Sequence, residues 1–310
     1  MYKFKSSVQP NYLLTLNMNG LRGRMLRLPC SGNNRREILF VYGNHSSIES
    51  VYGLVQLLAV YGSVTVPDLP GMGGMESFYK LNERPTLDVM AGYLASFVKL
   101  RYRQRRMTVI GQGYGFLVVT RMLQKFPEIA SRTDVLISLD GFAHHDDLRK
   151  NRINRIPYLI ISMLFRQPIL MRLGRNILLN PSLLKRFYAK KYATSHEFDH
   201  LSLVQKRAAV AMEVGLWRVN DVKTYLSNIS TMWTVNNCRV RVDLPVWQLF
   251  TKGQAVIDPH TVEQRLRVIY SHYHKIEISA EPLLISGIIK PQSTAAIIPR
   301  KLRRLLQKKT

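Results

Sequence analysis

Along the first 140 residues, short β-branched apolar runs alternate with amphipathic stretches of helical length, and this rhythm restricts the fold more than any other feature. Ile38–Tyr42, Ser63–Val66, Met107–Ile110 and Asp134–Leu139 read as strands. Ile48–Val60, Leu87–Arg103 and Tyr114–Phe126 read as helices, the last stopped by Pro127. Strands joined by helices of this length require right-handed crossovers, which make a mostly parallel sheet covered on both faces. The expected class is therefore α/β.

The rhythm then breaks. From Phe142 to Val242 the pattern is helical without convincing strands, interrupted at Pro157, Pro168 and Pro181. It resumes with a strand at Pro245–Phe250, a helix at His260–Tyr270, a strand at Lys275–Ile278 and a helix at Pro282–Ile289. The expected organisation is a core of residues 1–141 and 243–290, a helical insertion at 142–242 and a basic tail at 291–310. An open parallel sheet places a binding site at the C-terminal ends of its strands, here beneath the insertion.

Charge points to partners rather than fold. Lys and Arg number 45 against 20 acids, a net charge of +25. Such a balance attracts polyanions, either an anionic membrane surface or nucleic acid. Two runs concentrate it, Lys99–Arg106 and Arg300–Lys309. In the second, Leu302, Leu305 and Leu306 alternate with the charges, so a short amphipathic helix is expected, either lying on a membrane or frayed into solvent. No stretch reaches the ~18–20 apolar residues of a membrane span. The opening MYKFKSSVQPNYLL lacks the pattern of a secretion signal. Two distant cysteines, Cys30 and Cys238, point to a reducing cytoplasmic setting, with peripheral membrane attachment as an option.

Three loops carry chemistry. Val41-Tyr-Gly-Asn-His-Ser-Ser47 follows an early strand, Val66-Pro-Asp-Leu-Pro-Gly-Met-Gly-Gly74 follows the next, and Val109-Ile-Gly-Gln-Gly-Tyr-Gly-Phe116 joins a strand to a helix. In that order they resemble the α/β-hydrolase superfamily over roughly Ile38 to Ile289. The resemblance implies an oxyanion-hole loop at Gly43, Asn44 and His45, a D-x-P-G-x-G loop at Asp68, and a nucleophile elbow, G-x-S-x-G in the family, at Gly111–Gly115. It also implies that the insertion is a cap.

The departures from the family bear on activity. The elbow's middle position, which should supply the nucleophile, is Gly113. The resemblance places the acid at Gln254 and the base at Ala280, with Glu281 adjacent, and none of the three positions can serve as assigned. A hydrolase lacking its triad keeps only what binding and the oxyanion hole provide. The expected function is a pseudo-hydrolase that binds a small, anionic or carboxylate-bearing ligand without cleaving it. The helix start at Tyr114 would supply amides to hold that ligand. Two alternatives stand beside it: an active hydrolase using non-standard residues, such as Asp140 with His45, and a basic scaffold for anionic lipid or nucleic acid.

The remaining polar residues have plainer roles. Ser46 and Ser47 could replace the lost nucleophile only with a base in reach, and Ser47 is placed to cap the helix starting at Ile48. Asp140 ends its strand and Asp258 closes the stretch containing Gln254, so both are fallback carboxylates. His144-His-Asp-Asp147 is the most polar cluster, but neighbours on a helix start diverge, so no metal is expected and the acids serve the helix N-terminus. Gly111-x-Gly113-x-Gly115 lacks the third glycine of a dinucleotide fingerprint, and no cofactor is implied.

Overall fold

The computed structural model describes residues 8–149, 179–194, 198–199, 201–251, 256–278 and 298–307. The strands are β1 Leu13–Met18, β2 Leu21–Leu28, β3 Glu37–Val41, β4 Ser63–Pro67, β5 Met107–Gln112, β6 Thr133–Leu139, β7 Val242–Thr251 and β8 Tyr270–Ile278. The α-helices are α1 Ile48–Leu58, α2 Leu87–Tyr102, α3 Tyr114–Lys125, α4 Pro127–Ala130, α5 Pro181–Thr194, α6 Leu203–Val219, α7 Val222–Met232, α8 Pro259–Ile269 and α9 Arg300–Gln307.

All eight strands form one sheet in the order β1-β2-β4-β3-β5-β6-β7-β8. β1 and β2 pair antiparallel, β2 pairs antiparallel with β4, and every other neighbouring pair is parallel. The central strands are buried on both faces, so β3 and β5 read as continuous apolar runs rather than alternating ones. Among the described residues, the stretch between β6 and β7 contains helices and no strand.

Several expected boundaries move. The β1–β2 hairpin was not foreseen, although its Asn19-Gly20 turn, with φ of 52° and 75°, is the dipeptide that favours a two-residue hairpin. β8 begins at Tyr270 rather than Lys275, because its whole length pairs with β7. The helix expected at Pro282–Ile289 lies outside the described residues. The tail does form a helix, α9, but Leu302 and Leu306 are 2% and 0% exposed. Its apolar face packs on the core, so the helix does not fray and that face is not free to insert into a bilayer.

A buried ion cluster locks the loop after β4. The Arg24 guanidinium donates to both Glu49 oxygens at 2.6 and 2.8 Å and to Asp68 Oδ2 at 2.7 Å. The Tyr42 hydroxyl donates to Asp68 Oδ1 at 2.5 Å. That loop in turn holds α7. Gly73 N–H donates to Asn220 Oδ1 at 2.7 Å, Asp221 N–H donates to the Gly71 carbonyl at 2.9 Å, and Ser77 shares a hydroxyl bond with Thr224. Helices α5 and α6 contribute to a second, smaller apolar cluster built on Tyr188, Tyr192, Phe198 and Val210.

Helix α3 touches the sheet backbone to backbone. A Cβ on Gly111 would lie 2.6 Å from Phe116 Cα, and one on Gly115 would overlap the carbonyl oxygens of Val41 and Tyr42. Gly113, between them, has φ of +50° and open space where a Cβ would be. Gly115→Ala should therefore cost about 3 kcal/mol or fail to fold, because backbone cannot yield. Gly113→Ala should cost only the left-handed strain of about 1–3 kcal/mol. Urea unfolding of both variants checks the ranking, and equal losses would contradict it.

Candidate functional site

The site is built from the turns at the C-terminal ends of β3, β5, β6 and β7. β5 ends at Gln112, Gly113 takes φ 50° and ψ −115°, and α3 starts at once at Tyr114. Gly113 N–H donates to the Leu139 carbonyl at 3.0 Å, which fixes the turn against β6. No side chain caps α3, and no described residue accepts from the N–H of Tyr114. These free amides and the positive end of the helix face the space left open at Gly113.

The Gly43–His45 loop lies alongside. Gly43 approaches so closely that a Cβ there would sit 3.3 Å from the Gln112 carbonyl oxygen. The Asn44 side chain donates to the Tyr225 carbonyl at 3.4 Å and accepts from Asn228 Nδ2 at 3.0 Å, tying the loop to α7. His45 has a left-handed backbone, φ 55°. Its ring lies 4.3 Å from that of Trp217 and 5.2 Å from that of Tyr225. Neither ring nitrogen has a hydrogen-bond partner among the described residues, and Nε2 is 3.8 Å from Glu213 Oε2. Burial, with help from the Lys191 charge, holds His45 down to about 4, so its imidazole is neutral near pH 7.

Around this ring, Trp217 Nε1 donates to the Tyr188 hydroxyl at 2.9 Å and the Tyr192 hydroxyl donates to Glu213 at 3.4 Å. Burial raises the Glu213 carboxyl, while Lys191 and the tyrosine hydroxyls pull it down. The Tyr114 hydroxyl is buried without a partner among the described residues.

The fallback residues fall elsewhere. Ser46 Oγ lies 2.6 Å from Ser50 Oγ, whose only proton goes to the Ser47 carbonyl, so Ser46 must donate to Ser50. A base for Ser46 is therefore not in place. Ser47 is the N-cap of α1. Asp140, φ 46°, accepts from the Thr251 N–H at 2.8 Å and its hydroxyl at 2.5 Å, which ties β6 to β7. Burial raises the Asp140 carboxyl against these bonds. No described contact joins Asp140 to His45, whose nearest acid is Glu213. Asp258 caps α8 through Thr261 N–H and pairs with Arg149. Gln254 and Ala280 lie outside the described residues.

Glu213, Tyr188 and Tyr192 do not stand out as site residues in the sequence. The signal was present: Glu213 and Trp217 are four residues apart, as are Tyr188 and Tyr192, which places each pair on one helical face. The partner they surround, His45, is far away in sequence, so the cluster itself was not visible.

The strand order, the elbow and the loop beside it define a class: the chain has the α/β-hydrolase fold. Among solved structures it is similar to Cfl2 from Burkholderia cenocepacia, at 17% identity, 95% of each chain and a TM-score of 0.65. It is also similar to a malate-bound thermophilic esterase from Thermogutta terrifontis, at 14% identity, 96% of this chain, 98% of that one and a TM-score of 0.62. A third is the N-formylmaleamic acid deformylase from Pseudomonas putida S16, at 16% identity, 87% and 95% coverage and a TM-score of 0.60. No family model and no curated protein sequence matches the chain.

His45 also provides a pH test. Its folded value lies below the unfolded one of about 6.5, so the stability it contributes is present above that pH and lost as pH falls toward 4. Across that window the wild type should lose up to about 3 kcal/mol relative to His45→Gln, measured by denaturant unfolding. A difference that stays flat from pH 8 to 4.5 would mean that His45 is not buried as a neutral ring.

Proposed function

We propose that this chain is a ligand-binding protein on a hydrolase scaffold, without serine-hydrolase chemistry. One observation carries the proposal: the elbow residue, Gly113, has the turn's strained backbone and open space before it, but no side chain. The free amides of Tyr114 and of the Gly43–His45 loop act as an oxyanion hole that accepts a carboxylate or carbonyl oxygen. Trp217, Tyr225 and the neutral His45 ring receive the ligand's apolar body. Helices α5–α7, part of the 142–242 insertion, serve as the cap that keeps water out. Two features support the absence of turnover: Ser46 is bonded to Ser50, and neither Gln254 nor Ala280 is ionisable.

A second function is favoured by the placement of the positive charge. Asn34 Nδ2 and Arg36 Nε both donate to the Leu306 carbonyl, bringing α9 beneath the start of β3. Arg105 pairs with Glu37 at that same strand start, and Arg106 pairs with Asp134 at the start of β6. The two basic runs thus meet at the N-terminal edge of the sheet, opposite the site, where Arg35, Arg103, Lys301 and Arg304 are exposed. Beside them Leu100 is 64% exposed. We propose that this face rests on an anionic lipid surface, with Leu100 entering the headgroup layer.

Both proposals can be tested directly. A fluorophosphonate probe should leave the protein unlabelled, and Gly113→Ser alone should hydrolyse generic esters no faster than wild type, because a serine needs a base and an oriented acid. The triple variant with Gln254→Asp and Ala280→His should gain trace activity. Labelling at Ser46 or Ser47, or turnover by Gly113→Ser alone, would refute the first proposal. For the second, binding to phosphatidylserine vesicles should fall steeply with added salt and weaken in Lys301→Glu/Arg304→Glu. Binding that is indifferent to salt, or confined to nucleic acid, would overturn it.

A further inference from the structure

In the loop after β6, His144, His145 and Asp146 bring one ligand atom each to within 4.8 Å of one another. This departs from the divergence expected of neighbours on a regular helix. A single 3-10 turn at His145–Asp147, with His144 as its N-cap, gathers them instead. His145 Nε2 lies 3.3 Å from one Asp146 oxygen and His144 Nδ1 lies 3.4 Å from the other. The two imidazoles lie side by side, tilted by 32°, with centroids 4.1 Å apart.

The hydrogen bonds indicate where the lone pairs are. The Asp146 N–H donates to His144 Nδ1 at 3.2 Å, so that nitrogen is unprotonated. His145 Nδ1 lies 3.1 Å from the Val235 carbonyl, which can only accept, so Nδ1 carries the proton and Nε2 of the neutral ring has the lone pair. The His145 Nε2 lone pair therefore faces one Asp146 oxygen, while His144 Nδ1, its lone pair held by the Asp146 N–H, lies beside the other. Among the described residues, the Asp146 carboxylate has no other partner. The His145 Nε2 lone pair and the Asp146 carboxylate repel each other unless a cation lies between them.

We propose that His144, His145 and Asp146 bind one divalent first-row transition ion, such as zinc. Two imidazoles and a carboxylate match its donor preference and leave a coordination position for water. The bond from His145 Nδ1 to a backbone carbonyl is the outer-shell contact that orients a metal-ligating histidine. The turn is also held in place beforehand. Asp147 Oδ2 accepts the N–H groups of Ala143 and His144 at 2.9 Å each, His145 N–H donates to Val235, and the Asp147 carbonyl accepts from Asp258 N–H. On binding, His144 Nδ1 exchanges its bond to the Asp146 N–H for the ion, and water takes that N–H because Asp146 is half exposed. Arg265 lies near enough to act on His144, and its charge opposes the ion.

The test is calorimetric titration of metal-free protein with zinc near pH 7.5, with cobalt absorption as the spectroscopic readout. One equivalent should bind, and His145→Asn or Asp146→Asn should weaken binding at least tenfold, a loss on the order of ten- to a hundredfold. Arg265→Gln should tighten binding, and His272→Gln, an exposed histidine on β8, should leave it unchanged. Melting curves establish that each variant is folded. Weak binding shared by all variants, or loss in His272→Gln, would overturn the proposal.

Discussion

The backbone contact between α3 and the sheet is the constraint from which the site follows. Gly115 lets the helix meet the Val41 and Tyr42 carbonyls, and Gly111 lets it fold back over its own strand. With both contacts made, one residue remains to reverse the chain, so Gly113 must turn with φ of +50°. The same reversal places the Tyr114 N–H ahead of any intrahelical acceptor and leaves it free, while Phe116 N–H already donates to the Gly113 carbonyl at 3.1 Å. The free Tyr114 amide at the start of the helix is thus a by-product of tight packing, and it persists whether or not a nucleophile stands at Gly113.

Strain is gathered at the same place. His45, Asp140 and Gly113 all have positive φ, and they follow β3, β6 and β5, three adjacent strands. A non-glycine residue in this region costs about 1–3 kcal/mol unless its surroundings compensate. For Asp140 the compensation is visible in the paired bonds to Thr251. For His45 it is the aromatic contact with Trp217 and Tyr225, since its nitrogens have no hydrogen-bond partner among the described residues. Rigid anchoring around these turns comes from further away, through the Arg24–Glu49–Asp68 cluster and the bonds from its loop to α7.

The sheet was legible because parallel central strands have to be buried on both faces, so β3 to β6 stand out as apolar runs between helical patterns. The β1–β2 edge was not. β1 is mostly exposed or half-buried, which leaves little apolar periodicity to detect, and only the Asn19-Gly20 turn marked it. Gly43, Asn44, His45, Gly113 and Tyr114 could be placed because loops after parallel strands converge by topology alone. Glu213, Tyr188 and Tyr192 could not, because their position depends on how helices pack across an insertion. The grouping of His144 with His145 and Asp146 was not legible, because His144 stands outside the 3-10 turn as an extended N-cap rather than on a regular helix start.

Glycine at the elbow is best understood against the strained residues that remain. Removing left-handed strain from all three turns would stabilise the chain, yet only the position facing the open space has a glycine, while His45 and Asp140 keep their side chains. General relief of strain would have removed all three. Asp140 has a structural reason to stay, because its carboxylate joins β6 to β7. His45 has none of that kind: it makes no hydrogen bond to a described residue, and its burial works against its own protonation. A buried neutral imidazole offers one donor and one acceptor, each of which costs about 1–3 kcal/mol when left unmet. The ligand proposed above, entering the space in front of Gly113, would meet that need.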